Sequence, residues 1–150
     1  MSSIETISNK NIDEVLPLIR KYQEFYKIES INDEKNRKFF SQFGEGSNLG
    51  CLFGFRKGGR IVGFATIYFS YASSIVSKVA IMNDLFTLVE YRKNGIGESL
   101  IVHCAMYAKS QGAARLQWVT APDNLNAQAL YNKVGAKQSS WEFFTYTIIT

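Results

Sequence analysis

The sequence predicts an α+β domain built on a mixed sheet, and three observations carry that expectation. Long β-branched and aromatic runs fill the middle of the chain. Amphipathic helical periods flank them, and a strand, a glycine loop, a helix and a second strand follow one another after residue 78. That last succession is a β-α-β unit, so its strands, Lys78–Leu88 and Ala114–Thr120, are expected to run parallel. Parallel neighbours that diverge at one end open a cleft beside the glycine loop.

Each element has a local cause. A short strand over Ile4–Ile7 leads to Asn9-Lys10-Asn11, which caps a helix from Ile12 to about Tyr26 whose core face is Val15, Leu16, Ile19, Tyr22 and Tyr26. Asn32-Asp33-Glu34 starts a shorter helix through Phe39, Phe40 and Phe43, ended by Gly44-Glu45-Gly46. Leu49–Arg56 and Arg60–Tyr71 flank the hairpin signal Lys57-Gly58-Gly59, and a third antiparallel strand follows Ser73-Ser74. The helix from Gly95 lines up Ile96, Leu100, Cys104 and Ala108 and stops at Gln111-Gly112. Ala114–Thr120 reads as a buried strand, Pro122-Asp123-Asn124 caps a helix over Leu125–Val134 closed by Gly135, and Trp141–Ile149 reads as a final aromatic strand. The order is β-α-α-β-β-β-α-β-α-β, a sheet of six to seven strands with about four helices.

With 150 residues, 46% of them hydrophobic, the chain reads as one domain over 1–150 that buries roughly 70% of its unfolded surface. The first residues carry no leader pattern and no run approaches the ~18 apolar residues of a membrane span, so a cytoplasmic protein without membrane association is expected. Cys51 and Cys104 sit among apolar residues and read as reduced core thiols; with His103 as the one histidine, no metal site is expected. His103 lies between core positions of its helix and receives no chemistry. The net charge of +4 and pI near 9.1 are spread along the chain rather than gathered on one element, which argues against a nucleic-acid-binding domain using its aromatic strands as stacking platforms.

Two motifs carry chemistry. Arg92-Lys93-Asn94-Gly95-Ile96-Gly97 has the form R-x-x-G-x-G between a strand and a helix, where backbone and helix N–H groups converge on an anion. About thirty residues on, Asn124 to Gly135 has the form N-x-x-A-x-x-L-Y-x-x-x-G. Together they resemble the two acetyl-CoA motifs of the GNAT superfamily, the GCN5-related N-acetyltransferases, in the same order and at a similar distance. The resemblance covers Gly63 to Lys137. Within the superfamily, Lys21-Tyr22-Gln23-Glu24-Phe25-Tyr26, Asn83-Asp84-Leu85-Phe86 and Trp118-Val119-Thr120 look like the fungal histone and polyamine acetyltransferases, with spermidine/spermine acetyltransferases more distant.

The resemblance implies a GNAT fold, acetyl-CoA as cosubstrate and a primary amine as acceptor, with a homodimer suggested by the terminal strand. Leu85, Phe86 and Thr87, the last standing where a valine is usual, would offer backbone groups to the pantetheine arm. Arg92, Lys93, Asn94, Gly95, Ile96, Gly97 and Glu98 would wrap the diphosphate, the helix dipole contributing on the order of 0.3–1 kcal/mol per anion contact. Asn124 would hydrogen-bond the pantetheine arm, Ala127 would let the carrier pass, and Lys133 and Lys137 either contact its 3′-phosphate or solvate the surface. Tyr22, Glu24, Tyr26, Asp84 and Trp118 would border the acceptor.

The chemistry calls for a neutral amine and a protonated leaving thiolate. At pH 7 an ammonium of pKa near 10.4 is neutral about once in ~10³ molecules. Neither cysteine lies in a nucleophile setting, so direct attack in a ternary complex is expected, with Tyr131 as general acid. Spermidine/spermine acetyltransferases carry a glutamate where this chain has Asn83, which cannot accept a proton. Asp84 and Glu24 remain as bases, directly or through water, and Asp84 suits cation binding better than proton abstraction. A small primary amine is the expected acceptor, a protein lysine the runner-up, and a non-catalytic CoA-binding sensor the reading from another class.

Overall fold

A computed structural model describes residues 1–149. Its elements are β1 (Ser2–Thr6), α1 (Ile12–Phe25), α2 (Asp33–Phe40), β2 (Gly50–Lys57), β3 (Arg60–Ala72), β4 (Ser77–Thr87), α3 (Ile96–Ser110), β5 (Leu116–Gln117) and α4 (Leu125–Lys133), with short 3-10 turns after α2, β3 and β4. They form two compact units, Met1–Val119 and a smaller one beginning at Thr120.

In the first unit five strands lie side by side in chain order. The first three pairings are antiparallel; β4 and β5 are parallel, through Ala80↔Leu116 and Ile81↔Gln117 alone. Gly58 and Gly59, at φ 61° and 79°, make the tight turn between β2 and β3 that a residue with a Cβ would strain. Asn32 caps α2 by accepting from the Lys35 N–H at 3.0 Å. Asn11 acts outside the helix it precedes: its Oδ1 accepts from the Ser8 N–H at 2.7 Å and its Nδ2 donates to Glu5 at 2.8 Å.

The helices cover opposite faces of the sheet. Tyr22 of α1 meets Phe64 and Phe86 edge-on, at 5.7 and 6.0 Å between ring centroids. On the other face Tyr107 of α3 packs on Phe53 and Phe69, and His103 packs edge-on to Phe53 at 4.6 Å. All four stripe residues of α3, Ile96, Leu100, Cys104 and Ala108, are buried. Burial of side chains such as Phe53, Phe64 and Ile19 contributes roughly 1.5–3 kcal/mol each before chain entropy is counted. Cys51 and Cys104 are fully buried free thiols, pushed up to about 11 and about 12 by burial. Gly63 lets α3 approach: a Cβ there would stand 3.1 Å from both Ile96 Cγ2 and the Phe86 carbonyl.

Three expectations are corrected. The strand over Ala114–Thr120 contracts to Leu116–Gln117, half-buried rather than buried, because pairing to β4 ends after Ile81. Trp141–Ile149 forms no strand, and its large apolar side chains are 87% or more exposed, so the sheet has five strands among the described residues. Tyr26, expected on the core face of α1, is 54% exposed at the helix end. Among the described residues no helix is long and apolar enough to cross a membrane, and no group of three histidine, cysteine or acidic side chains is placed to hold a metal ion.

In the second unit Asn124 caps α4, its Oδ1 accepting from the Ala127 N–H at 3.3 Å. Gly135, at φ 86°, ends the helix in the left-handed conformation.

Candidate active site

The site of the first unit begins with one extra residue. Thr66 pairs with Asp84 but Ile67 pairs with Met82, so Asn83 is an insertion in β4, a β-bulge. Before it, Ala80 and Met82 share a sheet face with Phe69 and Ile67; after it, Asp84 and Phe86 share the opposite face with Thr66 and Phe64. The bulge therefore delivers the Asp84 carboxylate to the α1 face, beneath Tyr22.

Asp84 is 5% exposed. Its Oδ1 accepts from the Asn83 side chain at 3.2 Å, while its Oδ2, like the Oγ1 of the facing Thr66, has no hydrogen-bond partner among the described residues. Burial pushes the carboxyl above the usual carboxylate range. Burial, and next the Asp84 charge, push the phenols of Tyr22 and Tyr68 well above theirs. Tyr22 donates to the Asn83 carbonyl at 3.4 Å and meets Tyr26 edge-on at 4.9 Å, so an aromatic rim borders a buried, incompletely satisfied acid. Glu24 is not part of it: exposed, it lies about 200° around α1 from Tyr22.

The bulge also turns the backbone. Ahead of it the Ala80 N–H donates to the Arg115 carbonyl beside β5 at 3.0 Å. Beyond it the Leu88 N–H donates to the Val62 carbonyl at 2.9 Å, which places Phe86 in hydrogen-bonded register with β3 and turns the N–H and C=O groups of Leu85 and Thr87 to the opposite edge. That edge has no β5 partner past Ile81. The expectation for Phe86 is corrected accordingly: its backbone is engaged by β3, and only Leu85 and Thr87 address the edge where an extended ligand arm would lie.

The glycine loop follows. Lys93 and Gly95 adopt left-handed φ of 64° and 78°, an alternation that makes a concave nest of N–H groups. Asn94 folds back, its Nδ2 donating to the Tyr91 and Arg92 carbonyls at 3.1 and 3.3 Å. The Ser99 N–H donates to the Gly95 carbonyl at the first turn of α3, so the N–H groups of Ile96 and Gly97 lie ahead of the helical ladder. This donor set fits a diphosphate. Arg92 is turned elsewhere: its Nε donates to the Thr87 carbonyl at 2.9 Å and its guanidinium lies 5.5 Å from the Phe86 ring centroid, pinning the loop to the end of β4.

Trp118 is half-buried just past β5. In the second unit Ala127 and Tyr131 are half-buried on α4, Lys133 and Lys137 are exposed, and Asn124, the residue expected to hydrogen-bond the pantetheine arm, caps the helix through its side-chain oxygen. Sequence reasoning missed Thr66, Tyr68 and the structural part of Asn83. The one available signal was the adjacent polar pair Asn83-Asp84, which breaks the alternation of a strand.

Comparison with known proteins matches residues 15–136 to the acetyltransferase (GNAT) family. The chain is 30% identical over 146 residues to the thialysine N-epsilon-acetyltransferase of Bos taurus, spanning 88% of this chain and 84% of that protein. It is 37% identical over 79 residues to the D-amino-acid N-acetyltransferase HPA3 of Saccharomyces cerevisiae, 53% of this chain and 49% of the other. Among solved structures, an aminoglycoside N-acetyltransferase, AAC(6')-Iy, in complex with CoA superimposes with a TM-score of 0.83 at 16% identity, over 98% of this chain and 95% of that one. The chain belongs to the GNAT acetyltransferase family and is an acetyl-CoA-dependent N-acetyltransferase.

Proposed function

We propose that the protein transfers the acetyl group of acetyl-CoA to the primary amine of a small molecule, by direct attack in a ternary complex. One observation carries this reading. The bulge at Asn83 sets an incompletely satisfied carboxylate, Asp84, next to the backbone groups of Leu85 and the Thr87 N–H, at an edge of β4 that β5 does not cover. The first draws an ammonium, and the second receives an amide-bearing arm as an added strand would. The named substrates of the relatives, thialysine and D-amino acids, are small amines and support the same class.

Each group then has a task. The loop nest and the first turn of α3 hold the diphosphate, an N–H at the Leu85–Thr87 edge polarises the thioester carbonyl, and Asp84 attracts the amine. Tyr131 gives its proton to the departing thiolate. Proton transfer from a phenol near pKa 10 to a thiolate near 8.5 is uphill by about 2 kcal/mol, and general acid catalysis of this kind contributes typically 10²–10⁴-fold. The buried thiols of Cys51 and Cys104, both raised, suit packing rather than acyl transfer.

The test is thiol release from acetyl-CoA across a panel of diamines, amino acids and aminoglycosides beside lysine peptides. Turnover on small amines at least tenfold above that on peptides is expected; the reverse order sinks the assignment.

A second copy of the chain is part of this reading. Trp141, Phe143, Phe144, Tyr146, Ile148 and Ile149 are 87–92% exposed, an apolar run that a partner chain would cover. Light scattering at micromolar concentration is expected to give twice the 17.0 kDa of the chain, and a monomeric mass rules the pairing out.

A further inference from the structure

The cations of α2 divide into two sets. Arg37 is paired with Asp13 and Glu34, and Arg20 of α1 answers Asp33, so the acids of the helix are already matched to arginines. Lys35 and Lys38 form no ion pair among the described residues. They stand with Phe39 and Gln42 at i, i+3, i+4 and i+7, a stripe that runs off the end of the helix, and these four side chains line a cavity of about 410 Å³. That is the size of a small-molecule pocket. Two ammonium groups and a side-chain amide supply its polar donors, no acid lines it, and Phe39, 48% exposed, gives it an apolar wall. A carboxylate on an aliphatic body matches that set.

The wall leads towards the acid. Phe39 meets Phe43 at 5.4 Å between ring centroids, and Phe43 meets Tyr68 at 4.8 Å. Tyr68 lies two residues past Thr66 on β3 and so shares the sheet face of Thr66 and Asp84. A track of three rings therefore joins the basic cavity to the face that carries the buried carboxylate. Opposite charges stand at its two ends.

We propose that the cavity on α2 holds a carboxylate of the acceptor, whose amine lies at the Asp84 end of the track. The acceptor class is then an amine that also bears a carboxylate, an amino acid in the broad sense, rather than a polyamine. This rests on the small-amine reading. Lys35 and Lys38 take the carboxylate oxygens, the Gln42 amide adds a further donor, and the methylenes of the acceptor lie along Phe39 and Tyr68. A second ammonium in place of the carboxylate meets two lysines, so repulsion rejects a diamine as attraction selects the amino acid. The same charges fix the direction of binding, since the reversed acceptor sets carboxylate against Asp84 and ammonium against lysine.

The experiment measures thiol release from acetyl-CoA with two matched acceptor series, ω-amino acids and α,ω-diaminoalkanes of equal chain length. It is run on wild type, Lys35→Met/Lys38→Met and Lys35→Glu/Lys38→Glu; both lysines are exposed, and melting curves check that the variants fold. Wild type is expected to favour the best amino acid over its matched diamine at least tenfold in kcat/KM. The methionine pair is expected to lose at least tenfold on the amino acids, mainly through KM, and less than threefold on the diamines, while the glutamate pair reverses the preference. A wild type that prefers diamines, or variants that lose equally on both series, overturn the carboxylate site. A second arm needs no turnover: hexanoate titrated into nitrogen-15-labelled protein is expected to shift the backbone amides from Lys35 to Gln42 saturably in wild type and not in the glutamate pair. Unmoved amides in wild type overturn the site. Turnover on lysine peptides with none on either small series sinks the small-amine reading alone, and the hexanoate arm then decides the site. Peptide turnover that rises with neighbouring acidic residues, and loses that rise in the methionine pair, assigns the cavity to an acidic protein segment and overturns the amino-acid acceptor.

Discussion

The two ends of α1 hold two acidic clusters built on opposite plans. At the N-terminal end Arg56 of β2 forks between Glu5 of β1 and Glu14 of α1, with five nitrogen–oxygen contacts of 2.6–3.1 Å counting the Gly59 carbonyl. Every charge is answered, and Arg56 holds the Glu5 and Glu14 carboxyls below the usual range. At the C-terminal end Asp84 lies deeper and, among the described residues, has no ion pair and keeps one oxygen unsatisfied. The first cluster fastens β1, α1 and β2 together. The second destabilises the fold wherever Asp84 is ionised, and such a group persists where chemistry requires it.

The largest expected effect comes from removing the unanswered charge. Asp84→Asn, nearly isosteric, is expected to lower kcat/KM for an alkylamine at least 100-fold while CoA still raises Tm, as measured by thiol release and melting. Wild-type turnover in that variant dissolves the contrast between the clusters. Tyr131→Phe is expected to lower kcat at least tenfold with cofactor affinity retained, and unchanged turnover would falsify its role as acid. At the other end of α1, Arg56→Met is expected to cost about 1–2 kcal/mol in denaturant unfolding and leave kcat unaltered. The Glu5 share of that loss has a definite pH sign: a lowered folded pKa stabilises above the unfolded value and the contribution fades as pH falls through the carboxylate range. A variant as stable as wild type at pH 7 means the fork is ornamental.

How legible this was depended on the range of the signal. The hairpin at Gly58-Gly59, the Asn32 cap and the α3 stripe were readable because each is written within a few residues. The bulge at Asn83 was not, since it is a mismatch in counting between two strands, and only the register of β3 against β4 reveals it. With it went the facing of Asp84, the partnership with Thr66 and the distinction between Phe86 and its neighbours. Arg92 read as a phosphate ligand because its charge is visible in sequence and its path back to the Thr87 carbonyl is not. Trp141–Ile149 read as a strand from its aromatic composition, but composition alone does not provide the backbone pairing that makes a strand.

The most direct measurement of the central claim, that Asp84 is a buried and unanswered acid, is the thermal stability of Asp84→Asn against wild type as pH is lowered from 8. A carboxyl raised in the folded state binds its proton more tightly there than in the unfolded chain, so ionised Asp84 lowers stability above the carboxylate range and ceases to do so below it. The account expects the variant to melt higher at pH 8, by about 2–4 °C per kcal/mol recovered, with the gap closing as pH falls through the carboxylate range. A variant that melts lower at pH 8, or a gap that widens in acid, contradicts it.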